Sequence, residues 1–496
     1  MNNPEHPIVV IGAGIGGLSA AIRLAAADLP VIVVEKNDRP GGKMGEIRIN
    51  GYRWDTGPSV ITMRHVLDDL FQSVGCRLGD YIDLKSVQPT TRYFYPDGTV
   101  LDASSDAAQM AEAVAAAAPG DIDGYKAYLA YAERIYRITT PIFINDHPPT
   151  LRSFLRVPPA QWFKVDPFRT MRDAIEAYVH SSALRQLLSR FATYVGGDPY
   201  QVPATLNVIA HVELSGGVWY PRGGVYQIAA GMARLAQELG VKLLLNQPVK
   251  AITVEQNRPT GVELVDGSHI ATRCVISNVD VTTTFRHLLP PTKIVRKRLQ
   301  QLSRYAPSSS GFVMLLGIEG KDERLAHHNI LFSQDYQAEF ETIFKQQVPA
   351  DDPTVYIAIT SKTDANHAPD NGENWFVLVN VPALSTNYNW QTQTQSYRNR
   401  VLDVLAQRGF DVRGRIRAER ILTPEDMRQM TGAWRGALYG PSPNSRCAAF
   451  RRPHNRSNVV KGLYFTGGTT HPGGGVPMVI LSGKVAAEMV LADMVK

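Results

Sequence analysis

The first 35 residues constrain the chain most. Ile8 to Ile11 are four β-branched residues, the composition of a parallel strand buried on both faces. They run into Gly12-Ala13-Gly14-Ile15-Gly16-Gly17, then into apolar positions at helical spacing, Leu18, Ala21, Ile22 and Ala25. A second apolar run, Val31 to Val34, follows Pro30 and ends in Glu35. Strand, glycine-rich turn, helix, strand and acid in that order are the full context of a dinucleotide fingerprint. Gly12 permits the tight turn, Gly14 lets the backbone approach a pyrophosphate, and Gly17 lets the helix pack close to the strand. The helix N-terminus offers its free N–H groups and positive dipole to the phosphates. Glu35 stands about 20 residues beyond Gly14, where an acid holds a ribose 2′-hydroxyl, so FAD or NAD is expected rather than NADP.

At 496 residues the chain exceeds one ordinary core and should form about two domains. Its 44% hydrophobic and 20% charged residues are the balance of a soluble globular protein. Cys76, Cys274 and Cys447 are far apart and odd in number, which gives no metal or disulfide pattern and suits a reducing cytoplasm. The apolar run near the start lacks a basic n-region and carries Arg23 and Asp28, so it reads as neither signal peptide nor span. No other stretch reaches the roughly 18 apolar residues of a membrane helix. A net charge of +6 calls for no nucleic acid partner, yet suits contact with anionic lipid.

After Glu35 and Lys36, the turn Pro40-Gly41-Gly42 is flanked by Arg39 and Lys43, which would bring cations and N–H donors to the phosphates. Tyr52 and Trp54 alternate with Arg53 and Asp55, a strand pattern ended by Thr56-Gly57-Pro58-Ser59. Such turns also suit plain hairpins; their place after the fingerprint favours the cofactor. Helical patterns follow over His65 to Val74, Asp106 to Ala118 and Tyr125 to Ile138. The last is tyrosine-rich and fits either a packed domain surface or a substrate wall.

Between Pro141 and Phe168, the apolar residues Leu151, Phe154, Leu155, Trp162 and Phe163 mix with Arg152, Arg156 and Lys164. That mixture suits an interfacial membrane contact, and equally a helical lid over the protein's own core. Ile228 to Leu239, closed by Gly240, reads as an amphipathic helix. With strands at Val241 to Leu245, Val249 to Val254, Gly261 to Val265 and Cys274 to Ile276, it resembles the second half of a nucleotide-binding domain. Strand-like runs at Gly311 to Gly317, Val355 to Ile359 and Trp375 to Val379 precede a helix over Tyr397 to Leu405. The chain ends with a strand, the loop carrying Gly473-Gly474-Gly475, and a helix from Val476 to Val495.

The fingerprint, Pro221-Arg222-Gly223-Gly224-Val225, Arg452-Pro453-His454-Asn455-Arg456 and Thr470-His471-Pro472-Gly473-Gly474-Gly475-Val476-Pro477 together resemble the bacterial phytoene (carotenoid) desaturase family of amine-oxidase-like flavoproteins. Val195-Gly196-Gly197-Asp198-Pro199-Tyr200 and Ala326-His327-His328-Asn329 resemble it too, so the likeness covers the whole chain. The resemblance implies FAD and an α/β fold: a discontinuous Rossmann-like FAD domain, an inserted α+β substrate domain and a helical membrane-facing lid. The expected parts are 1–65, 218–285 and 447–496 for FAD, 66–217 for the lid and 286–446 for the substrate. It implies flavin contacts at Gly12, Gly14, Gly17, Glu35, Lys36, Gly42, Lys43, Gly57, Pro58, Val249, Gly468, Val476, Pro477 and Met478. Gly475-Val476-Pro477-Met478 departs from the Ala-Gly-Ile-Pro-Gly of many phytoene desaturases. It is closer to enzymes acting later, namely hydroxycarotenoid 3,4-desaturases, diapocarotenoid desaturases and terminal-methyl oxygenases.

The expected reaction is FAD-dependent desaturation of CH–CH units in an acyclic C30 or C40 polyene. Oxygen or a quinone would accept the electrons, and the enzyme would sit in the cytoplasm at the membrane surface. Oxygenation or ketolation, redox-neutral isomerisation and, last, a non-catalytic carotenoid-binding role are the alternatives. No Ser-His-Asp set, paired carboxylates or metal-ligand spacing stands out. His471 is the candidate polar group beside the flavin, unless it only shapes its loop.

Overall fold

The computed structural model describes residues 6–141, 148, 163–446 and 448–495. Ile8–Ile11 lies at the centre of a five-stranded sheet, in the order Leu463–Phe465, Val275–Ser277, Ile8–Ile11, Val31–Val34 and Lys242–Leu244. Every pairing in it is parallel. Ile8 and Val10 face a core shared with Leu18, Ile228 and Ile480, while Val9 and Ile11 face another that includes Ile252, Phe285 and Phe465. Burial on both faces is why this strand is apolar without alternation. The first helix, Ile15–Ala25, packs against the last, Val476–Met494. They approach closely because a Cβ on Gly483 would stand 2.5 Å from the Gly16 carbonyl oxygen. The two ends of the sequence thus build one domain. A three-stranded antiparallel sheet, Val249–Glu255, Arg258–Leu264 and His269–Ala271, packs beside it.

A seven-stranded mixed sheet organises the rest: Ile416–Leu422, Ser310–Glu319, Gly372–Val381, Val355–Ile359, His328–Leu331, Thr91–Phe94 and Val100–Ala103. Its side chains alternate between two cores. Phe312, Met314, Leu316, Trp375 and Val377 pack against the helix Trp390–Gln407, whereas Val313, Phe376 and Leu378 face a large cavity. With both faces covered, a one-residue slip would move a whole set of side chains to the other face, so the register is tightly specified.

Within 66–217, expected as a helical lid, Thr91–Phe94 pairs in parallel with His328–Leu331 and joins the seven-stranded sheet. The helices Ala107–Ala117, Ile122–Thr139 and Ser182–Ser189 pack with Tyr93 and Ile330 into one core. Four-residue strands are too short to give a periodic signal. Tyr125, Tyr128 and Tyr131 are buried in this core and do not line the cavity, which decides for a packed surface. In the hairpin Glu46–Ile49 and Tyr52–Asp55, all four residues of the second strand are buried, polar ones included.

Leu151, Phe154, Leu155 and Trp162 lie outside the described residues, and Phe163 opens the one-turn helix Phe163–Val165. Beyond it, Val165, Pro167 and Phe168 wall the cavity. No described helix is long and apolar enough to cross a membrane.

Candidate cofactor and substrate site

The cavity has a volume of about 910 Å³ and runs from the glycine loops to the seven-stranded sheet. Both N-termini of the paired helices open into it, at Gly14 and Ile15 and at Val476, Pro477 and Met478. Helix N-termini carry unpaired N–H groups and positive potential, so this is a place for a ligand with anionic groups.

The loops are built to leave backbone bare. Gly12 adopts φ +97°, Gly41 bridges to Gly14, and the Gly41 N–H donates to the Ala13 carbonyl at 2.9 Å. A Cβ on Gly17 would stand 2.3 Å from the Gly12 oxygen, and one on Gly57 would stand 1.9 Å from the Lys43 oxygen. Glu35 is buried; its Oε2 accepts from the Ala13 N–H at 2.8 Å and its Oε1 from the Asn37 side chain at 2.7 Å. The acid therefore ties the second strand end to the first loop.

Pro221-Arg222-Gly223-Gly224 works at a distance from the cavity. Gly224, at φ +101°, leaves room for the Arg53 guanidinium, which a Cβ would meet at 1.9 Å. Arg53, itself buried, pairs with buried Asp55 at 2.7 Å and with partly exposed Glu46 at 3.0 Å. Asp55 also accepts from the Tyr220 hydroxyl at 2.7 Å and the Val225 N–H at 2.8 Å. The motif thus locks the 46–55 hairpin and the Gly57 turn that follows it. At the other end Asn455 donates to the His471 carbonyl at 3.0 Å, and Arg452 donates to the Gly468 carbonyl at 2.7 Å. These two residues of Arg452-Pro453-His454-Asn455 hold the C-terminal loop, while His454 is exposed and Arg456 pairs with Asp493 at 2.9 Å.

Gly14, Gly42, Lys43, Gly57, Pro58, Gly468, Val476, Pro477 and Met478 all line the cavity, as does His471. Gly12, Gly17 and Glu35 shape the loop from behind. Val249 opens its strand outside the lining, and the Lys36 ammonium turns to the Gln429 carbonyl at 2.9 Å. The His471 N–H donates to the Pro453 carbonyl at 3.2 Å, so this residue shapes its loop and also faces the cavity.

Several lining residues escaped the sequence reading. Asn278 follows the strand next to Ile8–Ile11, at the switch point where an α/β sheet binds its ligand; a polar residue at that strand end was the available signal. Lys43 donates to the Leu438 carbonyl at 2.6 Å, and burial lowers its pKa, partly opposed by Asp280. Burial in turn raises the Asp280 carboxyl and depresses Arg452 to about 10. The Thr466 hydroxyl is buried, lines the cavity and has no partner among the described residues. Bare loops, paired helix N-termini, cations lining the cavity and this unmatched hydroxyl fit a flavin dinucleotide held from Gly14 to Val476.

Away from these loops the walls are mostly apolar, including Leu206, Ile209, Val212, Ile330, Phe340 and Leu378. Arg190 is a buried exception, bonded to Glu213 and to the Tyr93 hydroxyl at 2.6 Å. The Tyr356 hydroxyl joins Ser59 Oγ and His328 Nδ1, each at 2.8 Å, and burial holds His328 well below its usual pKa. No His, Cys, Asp and Glu grouping among the described residues could hold a metal.

Residues 15–491 match the flavin containing amine oxidoreductase family. The chain is 35% identical over 501 residues to the 4,4′-diaponeurosporene oxygenase of Staphylococcus haemolyticus (strain JCSC1435), covering 98% of this chain and 97% of that one. It is likewise 35% identical over 490 residues to the enzyme of that name from Staphylococcus aureus (strain MSSA476), covering 98% of each. Putrescine oxidase bound to putrescine shares the fold, with a TM-score of 0.63 and 15% identity over 99% of each chain. The chain belongs to the flavin-containing amine oxidoreductase family, and FAD is its cofactor.

Proposed function

We propose that this oxidoreductase oxidises an acyclic C30 or C40 carotenoid at a terminal methyl group. The observation that carries the reading is one continuous cavity, lined by the glycine loops at one part and by apolar residues along the sheet and helices. A long hydrocarbon bound against Ile330, Phe340 and Leu378 would extend toward the glycine loops. The full-length relatives, named as carotenoid oxygenases, favour oxygenation. The departure at Gly475-Val476-Pro477-Met478 suits later-acting enzymes, terminal-methyl oxygenases and later desaturases alike. Desaturation of CH–CH units is the second reading, favoured by the Arg452-Pro453-His454-Asn455 resemblance.

When bound, FAD supplies the two-electron redox chemistry. The chain's own residues bind, orient and exclude water. Gly14, Gly42, Gly57 and Gly468 give the cofactor close backbone approach, and the Val476 helix N-terminus favours negative charge beside it. The apolar walls keep the reacting carbon dry. Ser59, Tyr356 and neutral His328 form a hydrogen-bonded line that starts at the cavity wall and ends on the buried imidazole. Phe168, Met430 and Phe450 line the cavity yet are 62%, 38% and 43% exposed, an apolar rim suited to a substrate arriving from lipid. Together with the 141–168 segment it suits a peripheral membrane site, with oxygen or a quinone as electron acceptor.

The test is product mass after incubating FAD-loaded protein with liposomes carrying an acyclic carotene. Gain of oxygen supports the proposal. Loss of two hydrogens supports desaturation, and an unchanged mass with a shifted spectrum would mean isomerisation.

A further inference from the structure

The apolar part of the cavity holds a buried polar patch besides Arg190. Glu339, on the short helix Tyr336–Glu341, is 4% exposed and lines the cavity with Tyr336, Phe340 and Thr354. Its carboxyl accepts from the Ser333 and Thr354 hydroxyls, each at 2.7 Å, and from the Thr354 N–H at 3.0 Å. It forms no ion pair among the described residues. The ring of Tyr336 packs edge-on against Phe332 and Phe340. Its hydroxyl makes no hydrogen bond among the described residues.

Polar groups facing a dry apolar site are costly unless they are bonded. A ligand that is hydrocarbon throughout would leave the Tyr336 phenol and the spare lone pairs of Glu339 unmet. A hydroxyl or carbonyl at the ligand's end would satisfy them: the phenol donates to either oxygen, and the carboxylate accepts from an alcohol. Sites that bond a substrate's polar group discriminate strongly against the analogue lacking it.

We infer that Glu339, Tyr336 and Thr354 form a subsite for an oxygenated terminus, holding the hydroxyl or carbonyl of a long polyene whose other end lies toward the glycine loops. This deepens the proposed function and rests on it. A polyene with two equivalent ends, once oxidised at the first, re-enters reversed, and its oxygen function anchors it while the second end reacts.

The experiment uses the FAD-loaded full chain and three matched probes in detergent micelles: an acyclic carotene, its terminal alcohol and its terminal aldehyde. Dissociation constants come from fluorescence quenching and kcat/KM from product formation. The oxygenated probes should be preferred by about tenfold, equivalent to about 1.4 kcal/mol. Tyr336→Phe, which removes only an unpartnered hydroxyl, should lower that ratio severalfold, and Glu339→Leu should bring it near one. Tyr336→Phe carries the test by itself if Glu339→Leu does not fold. A wild-type ratio near one, or one that neither variant changes, overturns the subsite. If the carotene still binds and reacts in that case, the proposed function stands; if no probe binds at all, both fall.

Discussion

Replacing Glu339 by Gln should make the protein more stable at neutral pH, by an amount that grows with pH. Burial raises the Glu339 carboxyl from 4.5 to about 7, with Asp352 adding to the effect and the Thr354 and Ser333 bonds opposing it. Tyr336 on its own helix and Tyr397 on Trp390–Gln407 also face it, as phenols whose own pKa values lie well above neutral. A carboxyl whose folded pKa is raised costs nothing below the unfolded value, where both states hold the proton. The cost grows between 4.5 and about 7, as the unfolded chain ionises and the folded one resists. Each pH unit is worth about 1.4 kcal/mol, so the whole window amounts to about 3 kcal/mol. Gln keeps an acceptor for the Thr354 N–H, and the Ser333 and Thr354 hydroxyls can turn to accept from its amide. At about 2 cal/mol/K per residue, a unit of roughly 200 to 500 residues converts 3 kcal/mol into about 3 to 8 °C. The assay is the unfolding midpoint of variant and wild type from pH 4 to pH 8, scanned at one rate. The variant's advantage should widen by that amount and level off above neutrality. A constant difference, or one that narrows with rising pH, would refute the raised pKa.

Gly57→Ala places a methyl group 1.9 Å from the Lys43 oxygen, so the turn must shift; flavin affinity should weaken about tenfold or more, as read by equilibrium dialysis. Arg53→Met leaves Glu46 and Asp55 without their buried cation, and should cost about 3–5 kcal/mol in thermal unfolding. Changing Leu151, Phe154 and Trp162 to Ser should lower the fraction of protein that co-sediments with anionic liposomes; unchanged sedimentation would remove that segment from the membrane contact.

The N-terminal unit was legible because its information is local: strand, bare turn, helix and acid follow within one short stretch. The last helix was legible for the same reason, with Gly475 before it and Pro477 in its first turn. What stayed hidden depends on partners far along the chain. Thr91–Phe94 becomes a strand by pairing with His328–Leu331, and nothing within four residues announces that. Arg53 and Asp55 alternate with aromatics as a half-exposed strand would, yet Tyr220 and Gly224 fold over them and bury the polar face as well. Glu339 and Arg190 carry no motif. Their surroundings come from Thr354 and Glu213, brought close only in the folded chain.

The central claim is that FAD bound along Gly14 to Val476 oxidises a polyene in the adjoining apolar part of the same cavity. The most direct measurement is anaerobic mixing of the FAD-loaded protein with an acyclic carotene while flavin absorbance is followed, with the product then identified by mass. Bleaching of the oxidised flavin band by the carotene, recovery of the band once air is admitted, and a product carrying oxygen are predicted. A flavin band that stays unbleached, with the carotene recovered unaltered after air is admitted, would contradict it.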